Sequence, residues 1–125
     1  MFTKGIILSE AEYRTLWNDF IDMLRERLNE MDEDERAEIL RSRDEFEDWL
    51  KDQVVEMFDL ILEDHDAEAA IIYVGSMWRY VPDGEEFYYL SYRREIIPDV
   101  IEELMKEFRG SVEENRRKYY KRRRW

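Results

Sequence analysis

The sequence has few of the residues on which many kinds of functional site depend. It contains no cysteine, which excludes disulfides, thiolate zinc sites and cysteine nucleophiles. Its four glycines are scattered, so no glycine-rich loop is available to bind a phosphate. The apolar run before Ser9 has only three residues, which is too short for a signal peptide or a membrane span. We therefore expect an intracellular, cytoplasmic protein with no membrane partner.

The sequence also lacks a catalytic motif. Its one histidine, His65, lies among carboxylates, and a lone histidine in such a setting is more often structural than a metal ligand or a proton carrier. No serine or threonine has a nucleophile elbow or a local histidine partner. The 32 acidic residues permit a carboxylate metal site, but their pattern does not indicate one. We expect no enzyme activity, no cofactor and no metal.

What the chain does contain is charge, and that charge is unevenly distributed. At 125 residues and 44% hydrophobic content, a single domain is expected. Residues 1–110 carry 13 basic and 30 acidic groups, a net charge of −17, whereas residues 111–125 carry 7 and 2, a net charge of +5. The sequence thus predicts a single acidic globular domain over 1–110 and a basic C-terminal helix or tail over 111–125. Such an acidic domain repels phosphates and attracts basic surfaces.

Two long helices are predicted in the acidic domain. Ser9-Glu10-Ala11-Glu12 and Ser42-Arg43-Asp44-Glu45 are capping boxes, in which serine and glutamate side chains bind free backbone N–H groups at a helix start. Apolar residues then recur at helical spacing, which predicts helices over about 10–31 and 43–64. The segment 32–41 either continues the first helix or forms a short one of its own.

Each predicted helix carries a row of acidic residues on the side away from its apolar residues. We call these rows the acidic ladders. The first comprises Glu12, Asp19, Asp22, Glu26 and Glu30, and the second comprises Asp44, Asp48, Asp52, Glu56, Asp59 and Glu63. Like charges at this spacing repel by about 0.2–0.5 kcal/mol per pair. Such ladders either make the protein very soluble or present a line of negative charge to a partner.

The pattern changes after residue 68, where aromatic and β-branched runs lie on both sides of Pro82-Asp83-Gly84. This predicts an antiparallel β-hairpin over about 69–95, with Gly75-Ser76 as a bulge or a break in its first strand. The exposed edge of the hairpin leaves a homodimer open, and its rings favour a protein contact over a small-ligand pocket. These rings belong to Trp78, Tyr80, Phe87, Tyr88, Tyr89 and Tyr92.

A further helix is predicted from Pro98, with Gly110 as its end. The fold class is therefore α+β and predominantly helical, with three to five helices packed against one antiparallel hairpin. Ser111-Val112-Glu113-Glu114 is a third capping box, which predicts a separate helix start in the C-terminal tail.

The tail combines cations with aromatic rings, a pairing suited to single-stranded nucleic acid or RNA. Its candidate nucleic-acid-binding residues are Arg116, Arg117, Lys118, Tyr119, Tyr120, Lys121, Arg122, Arg123, Arg124 and Trp125. Two alternatives stay open. The tail either docks on an acidic helix of its own protein or of a neighbouring copy, or it is disordered.

In composition the chain resembles the phage anti-restriction and anti-CRISPR proteins that imitate DNA, which are short, acidic and poor in cysteine. The resemblance implies a non-catalytic inhibitor, in the host cytoplasm if viral, that occupies the basic groove of a nucleic-acid-processing target. Carboxylates four residues apart on a helix recur about every 6 Å, and two such ladders approximate a line of phosphates. The alternatives are a viral or archaeal assembly protein that oligomerises through tail-to-acidic-helix contacts, and a nucleic-acid binder that uses the tail.

Overall fold

The computed structural model describes residues 4–123, with side chains described from 4 to 109. Over that range the chain forms five helices and a small sheet of three strands, a predominantly helical α+β fold as predicted. In chain order the elements are β1 (Gly5–Leu8), α1 (Glu10–Glu30), α2 (Glu33–Ile39), α3 (Arg43–Asp64), β2 (Ala69–Val74), β3 (Met77–Val81), α4 (Gly84–Arg93) and α5 (Ile96–Arg123).

The two long acidic helices, α1 and α3, begin and end within one residue of their predicted bounds. Their capping serines act as expected: the Oγ of Ser9 accepts from the Glu12 N–H, and the Oγ of Ser42 accepts from the Glu45 N–H, both at 3.2 Å. The segment between them forms the separate helix α2, because the extended backbone at Met31 ends α1.

The sheet differs from the predicted hairpin over 69–95, which is wrong in its turn and in its second strand. The strand order is β1-β2-β3, with β1 parallel to β2 and β2 antiparallel to β3. The turn between β2 and β3 is Gly75-Ser76, whose φ values of 60° and 65° are both in the left-handed region that two-residue hairpin loops require. The residues interpreted as a bulge are therefore the hairpin turn itself.

The segment after Pro82 is the helix α4 and not a strand. The carboxylate of Asp83 accepts a hydrogen bond from the Glu86 N–H at 2.8 Å and so caps the helix. Asp83-x-x-Glu86 has the same spacing as the serine capping boxes at the starts of α1 and α3. The Pro-Asp-Gly sequence therefore opens a helix, because an aspartate before Gly84 caps the first turn as well as it would initiate a β-turn.

Helix α4 lies directly against the backbone of α3. A Cβ atom added to Gly84 would lie 2.3 Å from the carbonyl oxygen of Val55 and 2.6 Å from its Cα. The Gly84 N–H donates to Oδ1 of Asp59, one turn further along α3, at 2.8 Å. Only glycine allows this close approach of the two helices.

The core joins α1, α3 and α4 through aromatic rings around one buried serine. The ring of Phe87 stacks on Phe58 at 4.3 Å between centroids and on Trp17 at 5.5 Å. Beside them, the Oγ of Ser91 donates to the Phe87 carbonyl at 2.8 Å. It accepts from Trp17 Nε1 at 3.1 Å and lies 2.9 Å from the Tyr13 hydroxyl, so the tyrosine donates. The hydroxyl of Ser91 thus uses its one hydrogen and both of its lone pairs.

The last helix, α5, starts two residues before Pro98 and continues without a break to Arg123. Proline is tolerated in the first turn because the N–H it lacks has no partner there. The predicted end at Gly110 and the predicted helix start at Ser111 are both wrong. A glycine in a helix interior costs only about 1 kcal/mol relative to alanine, which the residues on both sides offset.

Candidate acidic interface

All eleven ladder residues are exposed. On α1 the buried side chains are Tyr13, Trp17, Phe20, Leu24 and Leu28, and on α3 they are Phe46, Leu50, Val54, Met57, Phe58 and Leu62. These positions lie on the opposite side of each helix from its ladder, as the helical period requires. The ladders therefore lie on the outer surfaces of α1 and α3. Each extends about 27 Å at 1.5 Å per residue, roughly the length of eight base pairs of duplex DNA.

Two members of the first ladder have a polar partner on α1 or at its start. Oε1 of Glu12 accepts from the Ser9 hydroxyl at 3.1 Å, and Oδ1 of Asp22 lies 3.4 Å from Nη1 of Arg25. Within residues 4–109, no cationic group lies within 4.0 Å of the remaining three members. These are Asp19, Glu26 and Glu30.

Arg25, the cation that pairs with Asp22, is mainly bound to α5. Its Nη2 lies 2.7 Å from Oε1 of Glu103, and its Nε lies 3.0 Å from Oε2 of Glu107. The hydrogen bond to Glu107, with the charges of Glu107, Glu103 and Asp22, raises the pKa of Arg25 above its ordinary value. One positive charge thus faces three carboxylates, so it leaves this part of the surface negative.

Two members of the second ladder have defined partners. Oε2 of Glu56 lies 3.9 Å from Nη1 of Arg27 on α1. Asp59 accepts the Gly84 N–H, so its carboxylate holds α4 in place and is partly used by the fold. In the part of the chain with described side chains, the other four have no cationic partner within 4.0 Å. These are Asp44, Asp48, Asp52 and Glu63.

Lys51, the cation in the middle of α3, is directed away from the ladder. Its Nζ donates to the Tyr89 hydroxyl at 3.2 Å, lies 3.7 Å from Oε1 of Glu85, and sits 5.1 Å from the centroid of the Tyr89 ring. The hydrogen bond to Tyr89 and the charge of Glu85 raise the pKa of Lys51. The partners of Lys51 are therefore on α4. The carboxylates of the second ladder do not use this lysine as a counterion.

The two ladders belong to neighbouring helices. Arg27 extends from α1 to α3, where its Nη1 donates to Gln53 Oε1 and lies close to Glu56. Because Glu56 is itself a ladder residue, the second ladder borders α1 at this point. Arg27 is therefore the one described cation that links α1 to a member of the second ladder.

The aromatic contact surface predicted from the sequence is divided by the real fold. Phe87 and Tyr88 are buried in α4, and Tyr89 and Tyr92 are partly exposed on it. The other two rings lie on the outer face of the sheet, where Trp78 is 57% exposed and Tyr80 is 65% exposed. They share that face with Ile7, Ile71 and Tyr73. Ile7 was missed because β1 is only four residues long, too short for alternation to identify it.

His65 is the C-cap residue of α3, and its Nδ1–H donates to the Ile61 carbonyl at 2.9 Å. Among the residues that the structure describes, no three histidine or acidic side chains are arranged to hold a metal ion. None of the helices in that same part of the chain is both long enough and apolar enough to cross a bilayer.

The candidate nucleic-acid-binding side chains at 116–125 lie outside the described side chains, as does the proposed docking of the tail. The backbone of α5 extends to Arg123. No protein-family model, curated protein or solved structure matches this chain, so the assignment of function rests on its own surface.

Proposed function

We propose that this protein is a non-catalytic acidic binding protein whose two ladders occupy a basic, nucleic-acid-binding groove on another protein. The observation that carries the proposal is the direction of the nearest cations. Arg25 binds α5 and Lys51 binds α4, so most ladder carboxylates face solvent without a counterion. These cations pair mainly with acids of other helices, which leaves most of the ladder charge available to a partner.

The electrostatics support a partner with a concentrated positive charge. A net charge of −17 over residues 1–110 speeds association with a basic groove and slows association with nucleic acid. Binding that depends on many solvent-exposed charge pairs weakens as salt screens them, with a Debye length of about 10 Å at 0.1 M. The proposal therefore predicts that the complex dissociates as ionic strength rises.

The test is a pull-down from a nucleic-acid-processing lysate, using the full chain and two charge-reversal variants. The first variant is Asp48→Lys, Asp52→Lys and Glu56→Lys, in the middle of the second ladder. The matched control reverses three exposed acids outside both ladders and so makes the same change in net charge. The control substitutions are Glu38→Lys, Glu68→Lys and Glu102→Lys.

We expect the wild type and the control variant to capture the same basic nucleic-acid-binding protein, and the ladder variant to lose it. Equal loss in both variants would mean that only total charge matters. Capture that is unaffected by the ladder variant would remove the ladders from the interface.

A second candidate function is self-assembly, which the exposed outer face of the sheet favours. Ile7, Ile71, Trp78 and Tyr80 are each at least 40% exposed on this face. Exposed apolar side chains clustered on one surface commonly mark a protein contact. Light scattering after size-exclusion chromatography tests this: an apolar contact persists at high salt and is lost in Trp78→Ser, whereas a tail-to-acidic-helix contact dissociates in salt.

A further inference from the structure

A pocket of about 440 Å³ lies between β3 and α4, on a different part of the molecule from the acidic ladders. We call it the arginine pocket because three arginines line it. Its principal residues are Arg79, Arg93, Arg94, Glu86, Tyr89 and Leu90. Glu86, Tyr89, Leu90 and Arg93 follow the spacing i, i+3, i+4, i+7, which places them on one face of α4. Arg79 comes from the inner side of β3, opposite Ile72 in the register.

With three arginines and one carboxylate, that of Glu86, the pocket lining carries a net charge of +2 in a domain where acids outnumber bases by 30 to 13. Among residues 4–109, neither Arg79 nor Arg93 has a carboxylate within 4.0 Å. The Nη2 of Arg79 donates to the sulfur of Met77 at 3.6 Å. Arg94 reaches Oε1 of Glu10 only at 3.8 Å. Two arginines without a carboxylate partner among the described side chains, and a third with one long ion pair, thus converge in one cavity, which suits them to an anion from outside the chain.

The hairpin turn positions one of these guanidinium groups. A Cβ atom added to Gly75 would lie 2.6 Å from Nη1 of Arg94 and 3.0 Å from its Cζ. The guanidinium therefore packs directly on the backbone of the turn, and a side chain at residue 75 would displace it. Gly75 also has a φ of 60°, which favours glycine independently. The Arg94 side chain is 43% exposed, so its guanidinium stays accessible to a ligand in the pocket.

The rest of the lining defines the class of ligand. Guanidinium groups bind phosphate oxygens through paired, charge-assisted hydrogen bonds. The ring of Tyr89 and the side chains of Leu90 and Val81 provide an apolar wall beside them. The volume lies within the range of about 300–1,000 Å³ that is typical of small-molecule sites. We propose that the arginine pocket binds a small organic phosphate that carries a flat ring, the chemistry of a nucleoside monophosphate.

The test is an amide NMR titration of the isotope-labelled full chain with AMP, with inorganic phosphate and adenosine as separate probes. We expect saturable shifts at the β2–β3 turn, at Arg79 and along the last two turns of α4. AMP should bind at least about tenfold more tightly than inorganic phosphate or adenosine, because neither fragment fills both parts of the site. Arg93→Gln and Arg94→Gln should each weaken AMP binding by about tenfold, the loss of one charge-assisted contact. The exposed arginine variant Arg43→Gln is the control and should bind as the wild type does.

A substitution at the turn separates positioning from folding. Gly75→Ala displaces the Arg94 guanidinium, so we expect weaker AMP binding with the amide spectrum of the helices unchanged. The proposal is overturned if millimolar AMP gives no saturable shifts, or shifts only in residues 111–125. It is also overturned if AMP binds no better than phosphate, or if Arg94→Gln lowers thermal stability without changing AMP affinity. The last result would mean that the arginines only neutralise the C-terminal end of α4.

Discussion

Replacement of the buried serine at the centre of the core tests the packing of α1 against α4. In Ser91→Ala the Trp17 Nε1–H and the Tyr13 O–H both lose their acceptor. All three side chains are at most 3% exposed, so water cannot replace the lost partner without a rearrangement. The variant therefore leaves two donors buried without a hydrogen bond.

The magnitude follows from these two donors. Each buried unsatisfied donor costs about 1–3 kcal/mol. The better helix propensity of alanine returns about 0.5 kcal/mol. We expect a net loss of about 2–5 kcal/mol, a large part of the total stability of a domain of this size. The melting temperature should fall by on the order of 10 °C.

The assay is urea denaturation monitored by tryptophan fluorescence, with Ser91→Ala, Tyr13→Phe and the double variant. Tyr13→Phe removes one of the two orphaned donors, so the double variant should lose about 1 kcal/mol less than the sum of the single variants. The control is Thr15→Ala, which removes an exposed hydroxyl bonded to the Ala11 carbonyl and should change stability by no more than about 0.5 kcal/mol. A loss below about 1 kcal/mol for Ser91→Ala, or strict additivity, would refute the hydrogen-bond account.

Three further predictions concern stability and surface. Gly84→Ala places a methyl group within 2.3 Å of the Val55 carbonyl and should separate α4 from α3, with a loss of about 3 kcal/mol or more in thermal or urea unfolding; unchanged stability would contradict the close approach. Burial, together with the adjacent Glu47 carboxylate, raises the pKa of Tyr88 above its ordinary value of 10.0. The folded state therefore keeps this proton after the unfolded state has released it, so the stability from Tyr88 is fully present below about pH 10 and is lost as pH rises further. Tyr88→Phe should flatten that alkaline decline by at most about 1.4 kcal/mol per pH unit; a slope equal to that of the wild type would exclude the effect. Trp78→Ser removes a ring that is 57% exposed but packs across the strands on Tyr73 at 5.1 Å between centroids, so unfolding should lose about 1 kcal/mol or less; a much larger loss would show that the sheet face is covered within the monomer.

The helices with capping boxes could be predicted closely because both their start signals and their apolar periods are local. The bounds of α1 and α3 follow from Ser9, Ser42 and the residues that come after them. Helix α4 was missed although Asp83-x-x-Glu86 is a start signal of the same form. Its aromatic residues have high strand propensity, but Phe87, Tyr88 and Ser91 are buried at helical spacing against α1 and α3. Tertiary packing, which the local sequence does not contain, decided the outcome.

On the surface, too, the features with a local signal could be predicted and those that depend on tertiary packing could not. Exposure of the ladders follows from the helical period alone, so it could be predicted. The partners of Lys51 and Asp59 could not be predicted. These partners, Tyr89 and Gly84, belong to α4, and the sequence pattern had assigned that segment to a hairpin. For the same reason the arginine pocket could not be predicted. Arg79 and Arg93 line the same cavity only because α4 packs against β3.

Competition between this protein and duplex DNA for one target tests the ladder proposal most directly. The captured basic protein is bound to a fluorescent duplex, and anisotropy is followed as the acidic protein is added at low and at high salt. The account predicts that the wild type and the control reversal at Glu38, Glu68 and Glu102 release the DNA at low salt. The Asp48, Asp52 and Glu56 reversal should not release it. A ternary complex, in which the target holds the DNA and the acidic protein together, would contradict the account.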